Sequence, residues 1–525
     1  MQRPIETFTP EEQALLAPHF TNVDQPVFGL VNLPETVKGA LFARYSRYPG
    51  TLRRMYLDEF AESLPGNASR FEGDEGKRAA ELYDRIFLGY GDDSVAQLGG
   101  MHIACEWTSN VLTKILQRPR IAAYLEQSTR YLSWDAPLPD GGFRYHREEG
   151  LGQEYTVAMD RIFTIYAEAL PAVTEWAVKQ YPRGTDEAEA AHLRACRAKA
   201  LDLLRGLLPA ASLSHMGMYA TGQTYEQLIL HLLAHPLPEA QSYGRMILST
   251  VQEVMPSFVT RVERPERGGE WIEFLAQRES AGRSWSNRLE MGTEAVEKPA
   301  ASVELLSVEG SEEDLLVALL FETSGKGEND IRAAVTRLSS DEQAELLSDL
   351  AGDRRNRRHR PGRGLEAVRY RFEIVADYGA FRDLQRHRML TVQWQTLTPH
   401  LGAGVPAEMK GAGQEESYAE ALEVSAAEWQ RLTDAGLHAQ APYALCLGYR
   451  IRFILDLNAR EAMQLIELRS GREGHPTYRA VAIAMRDRIG EVHPAVANLM
   501  THVDEEMEPR LERMMSELKA ETRGA

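Results

Sequence analysis

Two short stretches of the chain alternate apolar and polar residues, far apart in sequence. Met-His-Ile-Ala-Cys-Glu-Trp at 101–107 puts Ile103, Cys105 and Trp107 on one face. Val-Arg-Tyr-Arg-Phe-Glu-Ile-Val at 368–375 does the same with Val368, Tyr370, Phe372 and Ile374. A period of two predicts a half-buried strand in each. A short polar residue follows each strand as a helix cap, Ser109 before Asn-Val-Leu-Thr-Lys-Ile-Leu-Gln-Arg and Asp377 before Tyr-Gly-Ala-Phe-Arg-Asp-Leu-Gln-Arg. The cap-to-arginine spacing is nine residues in both, Ser109 to Arg118 and Asp377 to Arg386. A helix of that length ends after about two or three turns. An Arg-X-Arg pair then stands at each helix exit, where dipole compensation and anion binding are both open roles.

The echo continues downstream. Leu207–Arg245 and Ala441–Arg479 are both helical in pattern, and each is read as ending on an arginine that opens another helix. Ser-Val-Glu-Leu-Leu-Ser-Val-Glu-Gly from 302 predicts the first strand of the second copy. The pattern therefore divides the chain into a first domain at 1–265, a linker at 266–301 with some helix of its own, and a second domain at 302–525. The arginine-dense run 352–364 reads as a solvated loop, with phosphate contact left open.

Composition narrows the class. A chain of 525 residues, 43% apolar and 26% charged, can bury more than one core. The net charge of −18 argues against nonspecific nucleic-acid binding. No apolar run is long enough to span a membrane, and the start lacks a secretory core. Three scattered cysteines, Cys105, Cys196 and Cys446, exclude a disulfide framework and a cysteine-rich metal site. A cytoplasmic protein without metal, membrane or nucleic-acid partner is the expectation.

The residues at the helix exits resemble the signature of the flavin-dependent thymidylate synthases (thymidylate synthase complementing proteins): Arg-His-Arg, a spacer, Ser, then Ser-X-Arg. The first copy keeps Arg118, Arg120, Glu126, Ser128, Arg130 and Tyr131, and departs at Pro119 and Ala123. The second keeps Arg386, His387, Arg388 and Thr391, and departs at Trp394, Thr396 and Thr398. Downstream, the second copy offers Arg452, Asn458, Arg460, Arg469 and Arg479, with His475 and Pro476 in place of Gln-Trp. The first keeps Ala240, Gln241 and Arg245, with His215 in place of the phosphate-facing arginine. What one copy has lost the other mostly retains. Ile115 and Asp383 replace a family Gln in both copies, and Gly91-Asp92-Asp93-Ser94 stands for Gly-His-Glu-Ser.

The resemblance implies an α/β (α+β) fold, two tandem domains that each pack helices on a mixed sheet and together form a pseudodimer. A homodimer of such chains would then reproduce the family's tetramer. It implies methylation of dUMP to dTMP with FAD, NADPH and methylenetetrahydrofolate, at composite sites. By carry-over, Arg479 and Arg245 would polarise the uracil carbonyl. Glu126, Ser128, Arg130 and Arg452 would hold the nucleotide, and Arg386, His387, Arg388, Asn458 and Arg460 the flavin. Guanidinium forks suit phosphate because two parallel donors match its geometry. The alternative from another class is a divergent member that binds a nucleotide or flavin without methylating it.

Overall fold

The computed structural model describes residues 6–33, 35–45, 47–61, 96–97, 99–138, 141–184, 188–289, 300–506 and 511. Gly91-Asp92-Asp93-Ser94 lies outside them. Two compact units emerge, one drawn from Met1–Ala167, Leu208–Glu294 and Glu423–Leu445, the other from Glu168–Leu207, Ala295–Leu422 and Cys446–Ala525.

The first unit holds β1 (Val27–Leu30), β2 (Gly100–Ser109), β3 (Ala122–Glu126) and β4 (Leu213–Thr221) in the order β1-β2-β4-β3. The second holds β5 (Ser302–Glu309), β6 (Arg369–Asp377), β7 (Thr391–Trp394) and β8 (Arg450–Asn458) in the order β5-β6-β8-β7. The architecture is thus α+β and repeated, as the alternating segments predict. One correction is needed: the sheets are not mixed, since every described strand pair is antiparallel.

The reason for β6 is visible in its burial. Tyr370, Phe372 and Ile374 are all fully buried, each contributing roughly 1.5–3 kcal/mol from removal of apolar surface. The caps form as the sequence predicts. Ser109 Oγ accepts from Leu112 N at 3.0 Å, and Asp377 Oδ1 accepts from Ala380 N at 2.8 Å. Thr221 and Asn458 cap the helices Gly222–Ala234 and Ala459–Arg469 in the same way.

Register makes the repeat quantitative. Ser109 pairs with Leu213 and Asp377 with Arg450, so Leu213 corresponds to Arg450 and His215 to Arg452. The ladders then differ. Cys105 pairs with Met216 and Thr108 with Ser214, so Glu106 and Trp107 together oppose His215. In the second unit Val375 alone opposes Arg452. The first unit carries one extra residue here, a β-bulge, and Trp107 takes a left-handed φ of 57° within it.

Each unit is completed by a segment from the other half of the sequence. In the first, Ala210 N and Ala211 N donate to Leu445 O at 2.7 Å and Tyr443 O at 3.0 Å. In the second, Gly448 N donates to Gly206 O at 2.8 Å. A side chain at Gly206 would put its Cβ about 2.1 Å from the Tyr418 hydroxyl, which is why glycine stands there. The helix Glu270–Arg288 fills most of the described part of the segment read as a linker.

Candidate nucleotide-binding residues in the two units

In the first unit, β3 ends at Glu126, whose carboxylate is buried. Lys114 Nζ and Gln117 Nε2 each donate to its Oε2 at 2.9 Å. A buried carboxylate needs such donors, and here the helix Asn110–Leu116 and its cap supply them. Ser128 Oγ accepts from Arg130 N at 3.3 Å, turning the chain after the strand. Arg130 is half-buried. The Arg47 guanidinium lies 4.5 Å from the Tyr131 ring centroid. Arg118 and Pro119 line a cavity of about 500 Å³ with His231, His235, Arg278 and Glu279. Burial, and then the neighbouring Arg278, lower the Arg118 pKa.

Arg245 is exposed on the third turn of the helix Pro238–Val254. It does not open that helix, as the pattern had suggested; Pro238 does. Arg479, by contrast, lies in the first turn of Pro476–Val492 and is 1% exposed. Its Nε donates to Ser470 O at 2.8 Å and one terminal nitrogen to Glu506 O at 2.7 Å. The two arginines matched to one role therefore stand in opposite environments.

In the second unit, His387 is buried. Its Nδ1 lies 2.9 Å from Glu461 Oε1, and Arg469 Nε donates to its Nε2 at 3.1 Å. That pair of bonds assigns the proton to Nδ1, and burial lowers the ring's pKa below its ordinary value. Arg386 and Arg388, on either side, are exposed. Asp383, the residue standing for a family Gln, is neutralised: Arg205 approaches its carboxylate at 3.4 Å and Arg469 at 3.8 Å. Arg205 also reaches Asp377 at 3.6 Å. Arg452 on β8 sits 3.6 Å from Glu373, with its Nε buried and unpartnered. Asn458 spends its side-chain oxygen on Glu461 N, and Arg460 donates to Pro361 O and Glu366. Trp394 packs near Phe381, centroids 5.5 Å apart.

The arginine-dense run is not wholly solvated. Arg354 is anchored on the buried Glu467 at 2.5 Å, while Arg355, Arg358 and Arg360 are exposed. Among the described residues no cluster of His, Cys, Asp and Glu could hold a metal, and no helix is long and apolar enough to cross a membrane.

Several residues escaped the sequence reading. Glu239 is fully buried and takes bonds from Ser109 N, Ser109 Oγ and the Tyr443 hydroxyl at 2.9, 2.6 and 2.6 Å. Trp107 packs on His215, and Arg144 lies over the Trp107 and Trp134 rings. No periodicity marks Arg144, because it stands in a loop.

The thymidylate synthase complementing protein model matches residues 51–257 and again 304–495. The chain belongs to that family, twice over. It is 34% identical over 515 residues to a "UPF0159 protein" of Chlamydia muridarum, covering 95% of this chain and 96% of that one. A "UPF0159 protein" of Thermoplasma acidophilum is 30% identical over 89% of this chain and 95% of its own. Among solved structures, a UMP/dUMP methylase from Streptomyces cacaoi bound with 5-Br dUMP is 22% identical, covering 39% of this chain and 96% of that one, with a TM-score of 0.31. Membership supports a thymidylate synthase-like nucleotide methyltransferase.

Proposed function

We propose that this family member binds a pyrimidine nucleoside monophosphate and methylates it, dUMP to dTMP, with methylenetetrahydrofolate as carbon donor. The observation that carries the reading is the family match in both halves of the chain, together with the half-buried Arg452 on β8, whose Nε is buried and unpartnered. Buried guanidinium donors without a partner suit a phosphate ligand. No cysteine is needed as nucleophile. Cys105, Cys196 and Cys446 are all buried, and burial pushes the Cys105 thiol well above its usual range.

FAD recharged by NADPH belongs to the same proposal, reduced flavin supplying the hydride when bound. The residues fit a flavin in part. Arg386 and Arg388 are exposed guanidinium groups suited to a pyrophosphate, whereas His387, Asn458 and Arg460 spend polar atoms on protein partners. The chain's own contribution is therefore binding and charge stabilisation: in the second unit Arg452 on a phosphate, and in the first, considered by itself, Arg245 as an exposed guanidinium suited to a uracil carbonyl. A homodimer of tandem chains, working in the cytoplasm, completes the reading.

A second reading, ligand binding without methylation, is favoured by Arg479, whose Nε and one terminal nitrogen are occupied inside the protein. One experiment separates the two. The protein is saturated with FAD, desalted, and its spectrum taken with and without dUMP; NADPH, methylenetetrahydrofolate and dUMP are then added and dTMP is sought by mass spectrometry. Retained flavin and dTMP formation are expected. A dUMP-binding protein that forms no dTMP would establish the second reading.

A further inference from the structure

Three features found in the first unit alone converge on one spot. The first is the bulge in β2, which places Trp107 at a φ of 57° opposite His215. Left-handed backbone at a bulky residue is a true outlier, and bulges next to sites re-aim side chains. The second is His215 itself, fully buried, at the register position that the second unit fills with Arg452. Trp107 N donates to its Nδ1 at 3.1 Å. The neutral ring therefore carries its proton on Nε2, and that atom is buried with no partner. Burial, and secondarily the nearby Arg144, hold the His215 pKa well below its ordinary value.

The third feature is Arg144. Its guanidinium lies between two indoles, 5.1 Å from the Trp107 centroid and 5.4 Å from Trp134. One terminal nitrogen donates to Gln127 Oε1, while Nε is buried and unpartnered. Among the described residues no carboxylate lies within ion-pair distance of it. Glu106, whose charge acts on it through space, is engaged by Leu52 N at 2.8 Å, the Tyr45 hydroxyl at 3.1 Å and Arg53 at 3.5 Å. Burial pushes the guanidinium pKa down to about 10, which still leaves it charged at neutral pH.

Two buried donors without an acceptor, one of them cationic, thus stand around Trp107, whose ring is 4.6 Å from that of His215 and 5.1 Å from the Arg144 guanidinium. Buried donors in folded proteins are almost always satisfied. Arg144 and Trp107 are only half-buried as whole residues, so the cluster reaches the surface. We infer that the first unit carries an oxyanion site at the register position where the second has Arg452: Arg144, delivered from a loop, and His215 Nε2 bind a tetrahedral phosphate, free or as a phosphomonoester. The loop arginine replaces the strand arginine, and the bulge makes room by turning Trp107 out to carry its guanidinium. The naming of dUMP as the phosphomonoester rests on the proposed function; the oxyanion site itself does not.

The test uses the full chain with Arg452→Gln, which silences the strand arginine of the second unit. Calorimetric titration with inorganic phosphate, dUMP and deoxyuridine separates the sources. Phosphate-bearing ligands should bind, and deoxyuridine should bind at least about tenfold more weakly than dUMP. Adding Arg144→Gln should weaken dUMP binding by tenfold or more. Equal affinity for phosphate and dUMP would identify free phosphate as the ligand source. A readout without any variant is phenylglyoxal labelling of the wild-type protein, with the Arg144 peptide followed by mass spectrometry. Phosphate or dUMP, but not deoxyuridine, should protect it. Unprotected Arg144, or undiminished dUMP binding by folded Arg144→Gln protein, would overturn the inference. Protection in a protein that makes no dTMP would keep this site and remove the synthase reading. Unchanged dUMP affinity and turnover in Arg144→Gln would do the reverse.

Discussion

At the scale of single residues, the informative positions are buried charges whose partners come from far along the chain. Asp383 is held by Arg205 and Arg469, both nearly buried, and removing it leaves two cations under-compensated. Asp383→Asn should lower stability by roughly 2–4 kcal/mol, because breaking a buried ion network strands the remaining charge. Urea unfolding of the variant against wild type measures it. His215 gives a pH dependence. Its ordinary value of 6.5 is depressed in the fold by burial and then by Arg144, with Tyr45, Trp107 and Glu106 the other groups around it. A histidine with a depressed folded pKa contributes stability that is complete above about 6.5 and is lost as pH falls below it. Urea midpoints taken from pH 8 to pH 5 should therefore drop more steeply for wild type than for His215→Gln. The same residues show where sequence reading stops. The sequence shows Asp383 only as a replacement for a family Gln, because nothing in its neighbourhood announces Arg205. Arg479 looked available, because its saturation by Ser470, Asp504 and Glu506 depends on a chain reversal that carries no local signal.

At the scale of elements, the sequence was far more legible. Period-two alternation located β2 and β6, since a half-buried strand must separate its faces. Ser109 and Asp377 announced their helices because a short acceptor at the N-cap is the cheapest way to satisfy the first free amides. What alternation could not show was the bulge. Ile103, Cys105 and Trp107 share a face only on a regular strand, and one extra residue at 106–107 breaks that phase. Strand direction was illegible as well, because alternation is the same in antiparallel and mixed sheets. The two caps make a paired test. Ser109→Ala removes the cap bond to Leu112 N and the hydroxyl bond to the buried Glu239, while the backbone Ser109 N–H keeps its bond to that carboxylate, and should cost about 2 kcal/mol. The exposed cap Ser339, bound to Glu342, should cost about 1 kcal/mol or less on the same change. Thermal or urea unfolding of both alanine variants, compared side by side, checks the difference.

At the scale of the whole molecule, the repeat seen in sequence and the compact units seen in structure divide the chain differently. The family match runs over 51–257 and 304–495, whereas each unit also takes in a segment from the other half. A fragment ending at residue 294 lacks Tyr443, and with it the bond to Glu239 and the backbone pairing at Ala210 and Ala211. Such a fragment should show weakened helical circular dichroism and fast amide exchange in β2 and β4. Adding a peptide that spans 423–445 should restore protection; a fragment fully protected by itself would contradict the exchange of segments.

That exchange fixes an order of events during synthesis. The strands of the first unit all leave the ribosome early, yet the unit lacks Glu423–Leu445 until most of the chain has been made. At 5–20 residues per second, this leaves the buried carboxylate of Glu239 without Tyr443 for a time on the order of tens of seconds. The nascent first half must wait, exposed at that edge, for its own completion. A chaperone that holds the emerging chain would act in that interval, and a premature stop before residue 445 would spoil the half that had already been translated in full.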